Sequence, residues 1–264
     1  KRNLFYDAYE RSQTLFERSV YKAEGKPSPE ELALLEPLRA DLPEEVFGKA
    51  VMQPVSNGSG RDRKLLGEAT RLLAEAGWTR DGTLLHNDKG ETLEVEFLVQ
   101  DEVHVRIDTP FLENMRAIGI DASIRMVDSA QYQARLDNFD FDIIGVAYSL
   151  SATPTRDEVE RFFHSRSAAI NGTNNFPGSA SPALDALVDA VGAAKDRDSF
   201  NIAMRALDRA LRARHDWLPN WYSATHRAAF WDMFGYKELK PDFGFPVEAM
   251  WWFDEEKAKA IGKA

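Results

Sequence analysis

The sequence that decides the fold starts with Thr92-Leu-Glu-Val-Glu-Phe-Leu-Val99 and runs on to Ser151. Apolar and polar residues alternate through this first segment, which is the pattern of a strand with one buried face. Apolar residues then recur at helical spacing from Val103 to Ile118, and Gly119 follows as a stop signal. This part of the sequence therefore predicts a strand followed by a helix.

The same order of elements repeats in the residues that follow. Residues 120–126 alternate again and predict a second strand, and a cap at Asp128 or Ser129 starts a short second helix. A third strand is predicted from Phe139 to about Tyr148. The order βαβαβ favours three parallel strands with right-handed crossovers. The predicted fold class is therefore α/β, with a sheet flanked by helices.

Ligands of such sheets bind beyond the carboxyl ends of the strands. This rule narrows the search for a site to three ranges: Gln100–Arg106, Asp128–Gln131 and Tyr148–Ser151. The last range offers one aromatic ring and two hydroxyls, from Tyr148, Ser149 and Ser151. The alternative is a plain loop of small residues, but the topology favours the rim of a pocket.

The rest of the chain shows helical patterns joined by irregular segments. Helices are predicted at 1–20, from Ser28, at 61–76, 157–163, 181–194 and 199–215. A loop is predicted at 49–60, a hairpin at 79–90, an extended segment at 219–222 and a final strand at 248–253. Trp221 and Tyr222 follow Pro219 in a segment without helical periodicity. The sequence therefore leaves two positions open for their rings, in a cleft or in the core.

Composition excludes several classes of function. The net charge of the 264 residues is −10, which argues against binding to a nucleic-acid backbone. The absence of cysteine excludes disulfides, zinc–thiolate sites and cysteine nucleophiles. The five histidines form no metal-binding pair at helical spacing, and no Gly-x-Ser-x-Gly elbow is present. We therefore predict no cofactor, no metal and no catalytic residue.

The first residues have no initiator Met and no apolar core of a signal peptide. They are typical of the interior of an amphipathic helix. We therefore expect that the chain begins partway through a longer polypeptide.

Several segments together resemble a known family. They are Phe111-Leu-Glu-Asn-Met-Arg-Ala-Ile-Gly-Ile-Asp-Ala-Ser-Ile-Arg-Met-Val-Asp128, Phe139-Asp-Phe-Asp142, Leu73-Ala-Glu-Ala-Gly-Trp78, the segments 3–11 and 27–39, and Trp251-Trp252. This combination resembles the solute-binding proteins of ABC importers, in the peptide/nickel cluster of family 5. Within that cluster it is most similar to the periplasmic oligopeptide receptors of the Yej type, over nearly the whole chain.

The resemblance implies a two-lobed protein of the periplasmic-binding-protein type II fold, about twice this length. Residues 1–60 would come from or link to a missing first lobe, residues 61–215 would form the second lobe, and residues 216–264 would return toward the first. The expected partners are a peptide-like ligand held between the lobes, an ABC permease of the inner membrane, and the N-terminal remainder of the same protein.

One position departs from the family pattern. In typical peptide binders of this family, an aromatic residue after the third strand is followed three residues later by an Asp that pairs with the peptide amino terminus. Tyr148 fits the aromatic position, but Ser151 stands in the place of the Asp. A neutral hydroxyl does not supply that ion pair. A modified peptide, a murein-derived peptide or a peptide held through its backbone is therefore the expected ligand.

The sequence thus predicts a periplasmic binding protein that captures peptide-like solutes and is not an enzyme. The ligand-binding residues are predicted to be Tyr148, Ser149, Ser151, Asn171, Asn174, Trp221, Tyr222 and Arg106, with Tyr9 and Arg11 as weaker candidates. Arg106 pairs with a ligand carboxylate in this hypothesis, and is a solvated helix residue in the alternative. Two other classes of function stay open: a hydrolase or transferase acting on peptides or sugars, and a sensor or docking module.

Overall fold

The computed structural model describes residues 5–237 and 244–263. These residues form two compact units. The first comprises residues 5–6 and 12–220, and the second comprises residues 7–11, 221–237 and 244–263. The lobe boundaries near residues 60 and 215 stay a prediction.

The described residues form both helices and strands. The helices are α1 (Pro29–Leu35), α2 (Arg63–Glu75), α3 (Glu102–Ala117), α4 (Ser129–Asp137), α5 (Arg156–Phe163), α6 (Pro182–Ala193), α7 (Arg197–Arg214), α8 (Val247–Met250) and α9 (Glu255–Ala260). The strands are β1 (Glu10–Arg11), β2 (Thr79–Asp81), β3 (Leu84–His86), β4 (Glu94–Val99), β5 (Asp121–Met126), β6 (Ile143–Ile144), β7 (Trp221–Tyr222), β8 (Phe234–Tyr236) and β9 (Trp251–Phe253). Short 3₁₀ helices lie at Glu36–Asp41, Glu44–Phe47 and Ser165–Ser167. None of the helices in residues 5–237 and 244–263 combines the length and the apolar character that crossing a membrane requires.

β4 is the central strand of the main sheet, flanked by β5 and β6 in parallel pairings. Phe97 lies in one buried cluster with Leu112 of α3, whereas the next residue, Leu98, lies in another with Tyr132 and Leu136 of α4. Because successive side chains of a strand point to opposite faces, α3 and α4 cover opposite faces of the sheet. The predicted parallel βαβαβ arrangement is confirmed.

Side-chain caps decide where these two helices begin. The Asp101 carboxylate accepts the backbone N–H of His104 at 2.9 Å, and Asp128 accepts those of Ala130 and Gln131 at 2.9 Å. A short acidic side chain at this position satisfies N–H groups that have no partner inside the helix. Asp101 and Asp128 each lie two residues after the end of a strand, so both helices start at the carboxyl edge of the sheet.

The third strand is shorter than predicted. β6 contains only Ile143 and Ile144, whereas the prediction ran from Phe139 to about Tyr148. β6 pairs with Phe97 and Leu98, and β4 has only one further residue, Val99, so a strand reaching Tyr148 would have no partner for most of its length. Phe139 has a φ of 55°, which belongs to a turn and not to a strand.

The helix predicted at residues 1–20 is wrong for residues 6–20, which form turns and the strand β1; residues 1–4 lie outside the described residues. β1 pairs antiparallel with β7, with Glu10 opposite Tyr222. Backbone pairing with a distant segment therefore overrides the local apolar pattern.

Helix α7 carries buried charged side chains into the largest apolar cluster of the first unit. Arg209 is 2% exposed, and its Nε donates to Oε2 of Glu31 on α1 at 2.6 Å. Asp208 accepts the backbone N–H of Ala23 at 2.8 Å and the hydroxyl of Thr14. These bonds fasten the irregular segment before α1, and α1 itself, onto α7.

We predict that removing the Arg209 guanidinium is strongly destabilising. The substitution Arg209→Met leaves a carboxylate at Glu31 that is 3% exposed. Among the described residues its remaining charged partner is the Arg205 guanidinium, at 2.9 Å. Breaking a buried pair in this way costs about 3–5 kcal/mol of the free energy of unfolding. The double variant with Glu31→Leu is expected to lose less than the sum of the two single losses. Urea unfolding of the four proteins measures both effects.

The matched control is Arg71→Met on α2. Arg71 also forms ion pairs, with Glu68 and Glu75, but all three side chains are at least half exposed. Exposed pairs contribute about 0–1 kcal/mol. Equal losses for Arg71→Met and Arg209→Met would contradict a structural role for the buried pair.

Candidate functional site

The chain leaves the sheet after β6 along an irregular loop, residues 145–155, called the site loop below. Side chains hold this loop where a strand ladder is missing. The Tyr132 hydroxyl donates to the carbonyl of Gly145 at 3.5 Å, and the Tyr21 hydroxyl donates to that of Ala152 at 2.9 Å. The loop therefore has a defined path although it lacks regular secondary structure.

Tyr148, in the middle of the site loop, is anchored by its ring and by its hydroxyl. The ring packs against those of Phe162 and Trp217, with centroids 4.8 and 4.9 Å away. The hydroxyl donates to the backbone carbonyl of Asn174 at 3.0 Å. Burial raises the pKa of the Tyr148 hydroxyl above its ordinary value, because the phenolate would lose its hydration. Tyr148, predicted as a pocket wall, thus supports the loop by packing.

An open depression of about 530 Å³ lies beside the site loop. It is lined by Ser149, Thr155, Asp157, Glu158, Arg161, Phe162 and Asn174. The structure thus brings together two of the predicted site residues, Ser149 and Asn174. Hydroxyl, amide, carboxylate and guanidinium groups converge there beside one aromatic ring, a combination that suits a polar, hydrogen-bonding ligand.

Two charged side chains of α5 that line the depression form hydrogen bonds to residues around it. Glu158 Oε1 accepts the backbone N–H of Ser151 at 2.7 Å, and Arg161 Nη2 donates to Oδ1 of Asn174 at 2.6 Å. Ser151, predicted as a rim residue, contributes its backbone to this arrangement. Its hydroxyl is outside the lining of the depression.

Sequence reasoning missed Glu158 and Arg161 as site residues. The available signal was Thr155-Arg-Asp-Glu158, the spacing of a capping box, which predicts the start of a helix. Half of that box is present, since the Thr155 hydroxyl accepts the N–H of Glu158 at 3.2 Å. The Glu158 carboxylate, however, reaches the site loop, and a sequence pattern does not reveal that contact.

Two other predicted residues stand apart from the depression. Asn171 and Arg106 are both exposed and do not line it. The buried amide of the Asn-rich segment is Asn175, which donates to the carbonyl oxygens of His164 at 3.2 Å and Ser179 at 3.0 Å. Asn175 therefore has a structural role in holding the turn that carries Asn174.

The remaining predicted residues come together in the second unit. Tyr9 precedes β1, Arg11 lies opposite Trp221 in the β1–β7 ladder, and Tyr222 lies opposite Glu10. The Tyr222 hydroxyl donates to Glu10 Oε2 at 2.6 Å. Trp221 keeps 38% of its surface exposed and so is not a core residue. Because successive side chains of a strand point to opposite faces, Arg11 and Trp221 lie on one face of this ladder and Glu10 and Tyr222 on the other.

The other two ranges predicted at the carboxyl edge of the sheet, Gln100–Arg106 and Asp128–Gln131, contain the caps of α3 and α4. At the end of β4, His104 Nδ1 lies 2.9 Å from Asp101 Oδ2. Hydrogen bonds from the backbone and ring of His104 lower the pKa of the Asp101 carboxyl. Both side chains are more than 40% exposed, so the pair contributes little to stability.

A serine, a histidine and an aspartate lie together outside the depression. His164 Nδ1 is 3.2 Å from Asp185 Oδ1 and 3.5 Å from Ser165 Oγ, while the Ser165 hydroxyl donates to Asp185. In a catalytic Ser-His-Asp triad, one ring nitrogen of the histidine faces the serine and the other faces the carboxylate. Here Nδ1 faces both, and the Arg166 guanidinium is 3.0 Å from Nε2. This cluster is not arranged as a catalytic triad.

Within the described ranges, no three or more His, Cys, Asp or Glu residues are grouped so as to hold a metal.

Comparison with known proteins assigns the chain to a family and a fold. Residues 2–169 match the model of the bacterial extracellular solute-binding proteins, family 5 Middle. The chain is 35% identical over 263 residues to the uncharacterized protein YejA of Escherichia coli K12, covering 99% of this chain and 43% of that protein. It is 35% identical over 252 residues to the probable peptide-binding protein YejA of Agrobacterium fabrum, covering 95% and 41%. The chain thus spans less than half the length of these curated relatives.

A solved structure shares the fold. The oligopeptide-binding protein AppA of Bacillus subtilis, in complex with a nonapeptide, matches with a TM-score of 0.53 at 17% identity, covering 81% of this chain and 45% of that one. At this identity the likeness shows the fold alone. It confirms the predicted α/β class of the periplasmic-binding-protein type II.

The packing of Tyr148 predicts two graded losses of stability. Tyr148→Phe removes the hydrogen bond to Asn174 but keeps the ring, so a loss of about 1 kcal/mol is expected. Tyr148→Ala also removes the contacts with Phe162 and Trp217, and a loss on the order of 3 kcal/mol is expected. Both losses are measured from the midpoints of urea unfolding, with the dependence of the free energy of unfolding on urea concentration unchanged. If Tyr148→Ala were as stable as the natural protein, the ring would not support the site loop.

Proposed function

This chain belongs to the bacterial extracellular solute-binding proteins of family 5, and we propose that it captures peptides or peptide-like solutes and delivers them to an ABC importer. In this proposal the protein works in the periplasm and its partner is a permease of the inner membrane. The chain supplies the second ligand-binding lobe with residues 61–215. Residues 1–60 and 216–264 connect to a first lobe formed by an N-terminal remainder of the same protein.

The observation that carries the proposal is the depression beside the site loop. The site loop follows β6, so the depression beside it lies on the carboxyl side of the parallel sheet, where ligands of open α/β sheets bind. The hydroxyls of Ser149 and Thr155 and the amide of Asn174 offer both donors and acceptors. A peptide backbone presents the complementary groups at every residue. This lining supports non-covalent capture of a peptide-like solute.

Capture in this proposal uses closure of two lobes around the solute. Hydrogen-bonding groups of the second lobe hold one side of the ligand, and closure excludes water from the other. The closed form is then the species that the permease recognises. No bond of the solute is made or broken, so the protein is proposed to be a binding protein and not an enzyme.

The neutral residue at position 151 supports the proposed ligand class. Ser151 brings no charge, and its backbone N–H is already bonded to Glu158. A modified or murein-derived peptide, or a peptide held through its backbone, therefore remains the proposed ligand. Peptide recognition is also the function named for the Agrobacterium relative.

Filling the depression tests the site. Ser149 is exposed within it, so Ser149→Trp is expected to leave folding intact but to occupy the space of the ligand. We expect the affinity for peptide to fall at least tenfold, a loss of about 1.4 kcal/mol or more. Thermal-shift screening of the full-length protein with a pool of di- to pentapeptides identifies a ligand, and calorimetry then measures its dissociation constant.

The matched control is Ser56→Trp, which places the same ring on the exposed loop before α2. Its affinity is expected to equal that of the natural protein. Equal affinities for Ser149→Trp and Ser56→Trp would contradict the assignment of the site. Cleavage of the pooled peptides by the purified protein would instead support the hydrolase alternative.

A further inference from the structure

A second cavity lies within the second compact unit. Its volume is about 230 Å³, and it shares no lining residue with the depression beside the site loop. A dry cavity of about 150 Å³ in an engineered protein core is large enough to bind benzene. The second cavity therefore has the size that one ring with a short substituent fills.

The β8–β9 ladder directs two aromatic rings into this cavity. Tyr236 and Trp251 lie opposite each other in the antiparallel pairing, and their rings stack with centroids 5.2 Å apart. The neighbouring pair, Gly235 and Trp252, belongs to the other face of the ladder. A Cβ at Gly235 would collide with the Trp252 indole, so the missing side chain makes room for that ring. Trp252 is thus accommodated away from the cavity, and Tyr236 and Trp251 remain to line it.

Two further rings complete an aromatic wall. Phe230 meets Trp251 edge to face with centroids 4.4 Å apart, and Phe245 stands perpendicular to Trp251 at 6.0 Å. Both rings line the cavity. Phe230 and Tyr236 nevertheless keep 44% and 47% of their surface exposed, so the cluster leaves ring surface uncovered. Such a wall offers both ring faces and ring edges, which are the surfaces that another aromatic ring prefers.

The cavity has one positively charged side chain and no negatively charged one. Lys237 lines it, and no Asp or Glu does so among the residues that the structure describes. The other polar ring of the lining, His226, is stacked on Phe245 with centroids 5.2 Å apart. The Lys237 side chain is exposed, and its ammonium group has three N–H donors on a flexible stem. This charge balance complements an anionic group.

We propose that this cavity binds a small aromatic acid, a single ring that carries a carboxylate. The ring packs against Phe230, Tyr236 and Trp251. The carboxylate pairs with the Lys237 ammonium, in the kind of hydrogen bond between ionised partners that is stronger than one between neutral groups. Aromatic cages commonly bind organic cations instead, but the lysine in this lining repels them. The inference concerns a second site and does not depend on peptide capture.

The test measures the binding of four small probes to the full-length protein by ligand-observed NMR titration. Phenylacetate has the proposed ring and carboxylate, phenylacetamide has nearly the same shape without the charge, 2-phenylethylamine has a positive charge, and acetate has no ring. Lys237→Gln removes the charge of the cavity. Ala228→Phe places a ring in it, because Ala228 is an exposed residue of the lining. The matched control is Ala229→Phe, at the next residue, which is also exposed but does not line the cavity.

We expect the natural protein and Ala229→Phe to bind phenylacetate about fivefold more tightly than phenylacetamide, the upper range for an exposed ion pair. Acetate and 2-phenylethylamine are expected to bind more weakly than either. Lys237→Gln is expected to lose the preference for phenylacetate while its affinity for phenylacetamide stays unchanged, which also reports an intact fold. Ala228→Phe is expected to lose the binding of both probes.

The proposal is overturned if the full-length protein binds neither phenylacetate nor phenylacetamide, if it binds 2-phenylethylamine most tightly, or if Ala228→Phe binds phenylacetate as Ala229→Phe does. It is also overturned if Ser149→Trp abolishes phenylacetate binding, because the probe then occupies the depression. The affinity of the same proteins for peptide is measured separately, and Ala228→Phe is expected to leave it unchanged. A failure of this inference is therefore distinguishable from a failure of the proposed function.

Discussion

The first unit depends on the burial of charged groups along one helix. Residues Asp208, Arg209 and Arg212 of α7 are each at most 6% exposed, and they bond to Glu31 and to backbone groups of residues 23–25. Removing a charge from water is costly unless every partner is in place. The segment before α1 has little regular structure of its own, so these bonds determine its path. The charges specify one arrangement, while the apolar cluster around them supplies most of the driving force.

This constraint extends to the depression. The segment fastened by α7 carries Tyr21, whose hydroxyl holds the site loop at Ala152, and α7 itself holds Thr153 through Arg197 at 2.9 Å. On the other side, Tyr148 packs on α5, the helix that presents Glu158 and Arg161 to the depression. The loop therefore depends on side chains from several distant elements. A site built in this way keeps its geometry without a strand ladder, and its polar groups are oriented before a ligand arrives.

Much of the fold follows from local patterns, and the site follows from them only in part. Alternation at residues 93–97 and 120–126 identifies the parallel strands, because every second residue faces the more buried side of the sheet. Leu98 departs from this alternation, since it is buried on the other face beneath α4. The same reasoning fails beyond Ile144, because β4 extends only one residue, Val99, past its pairing with β6 and offers no partner to a longer strand. It also fails near Glu10, whose partner Tyr222 is far away in sequence. Glu158 and Arg209 look like ordinary solvated helix residues, since their partners are known only from the tertiary structure.

Native mass spectrometry of the full-length protein, purified without denaturation and then unfolded in the instrument, tests solute capture most directly. Binding of a peptide-like solute between two lobes predicts an added mass on the folded protein, released on unfolding, with a fragmentation pattern of amino acids. An empty protein that also takes up no mass from a peptide pool would contradict this function. Release of a solute without any amino-acid component would contradict the proposed ligand class.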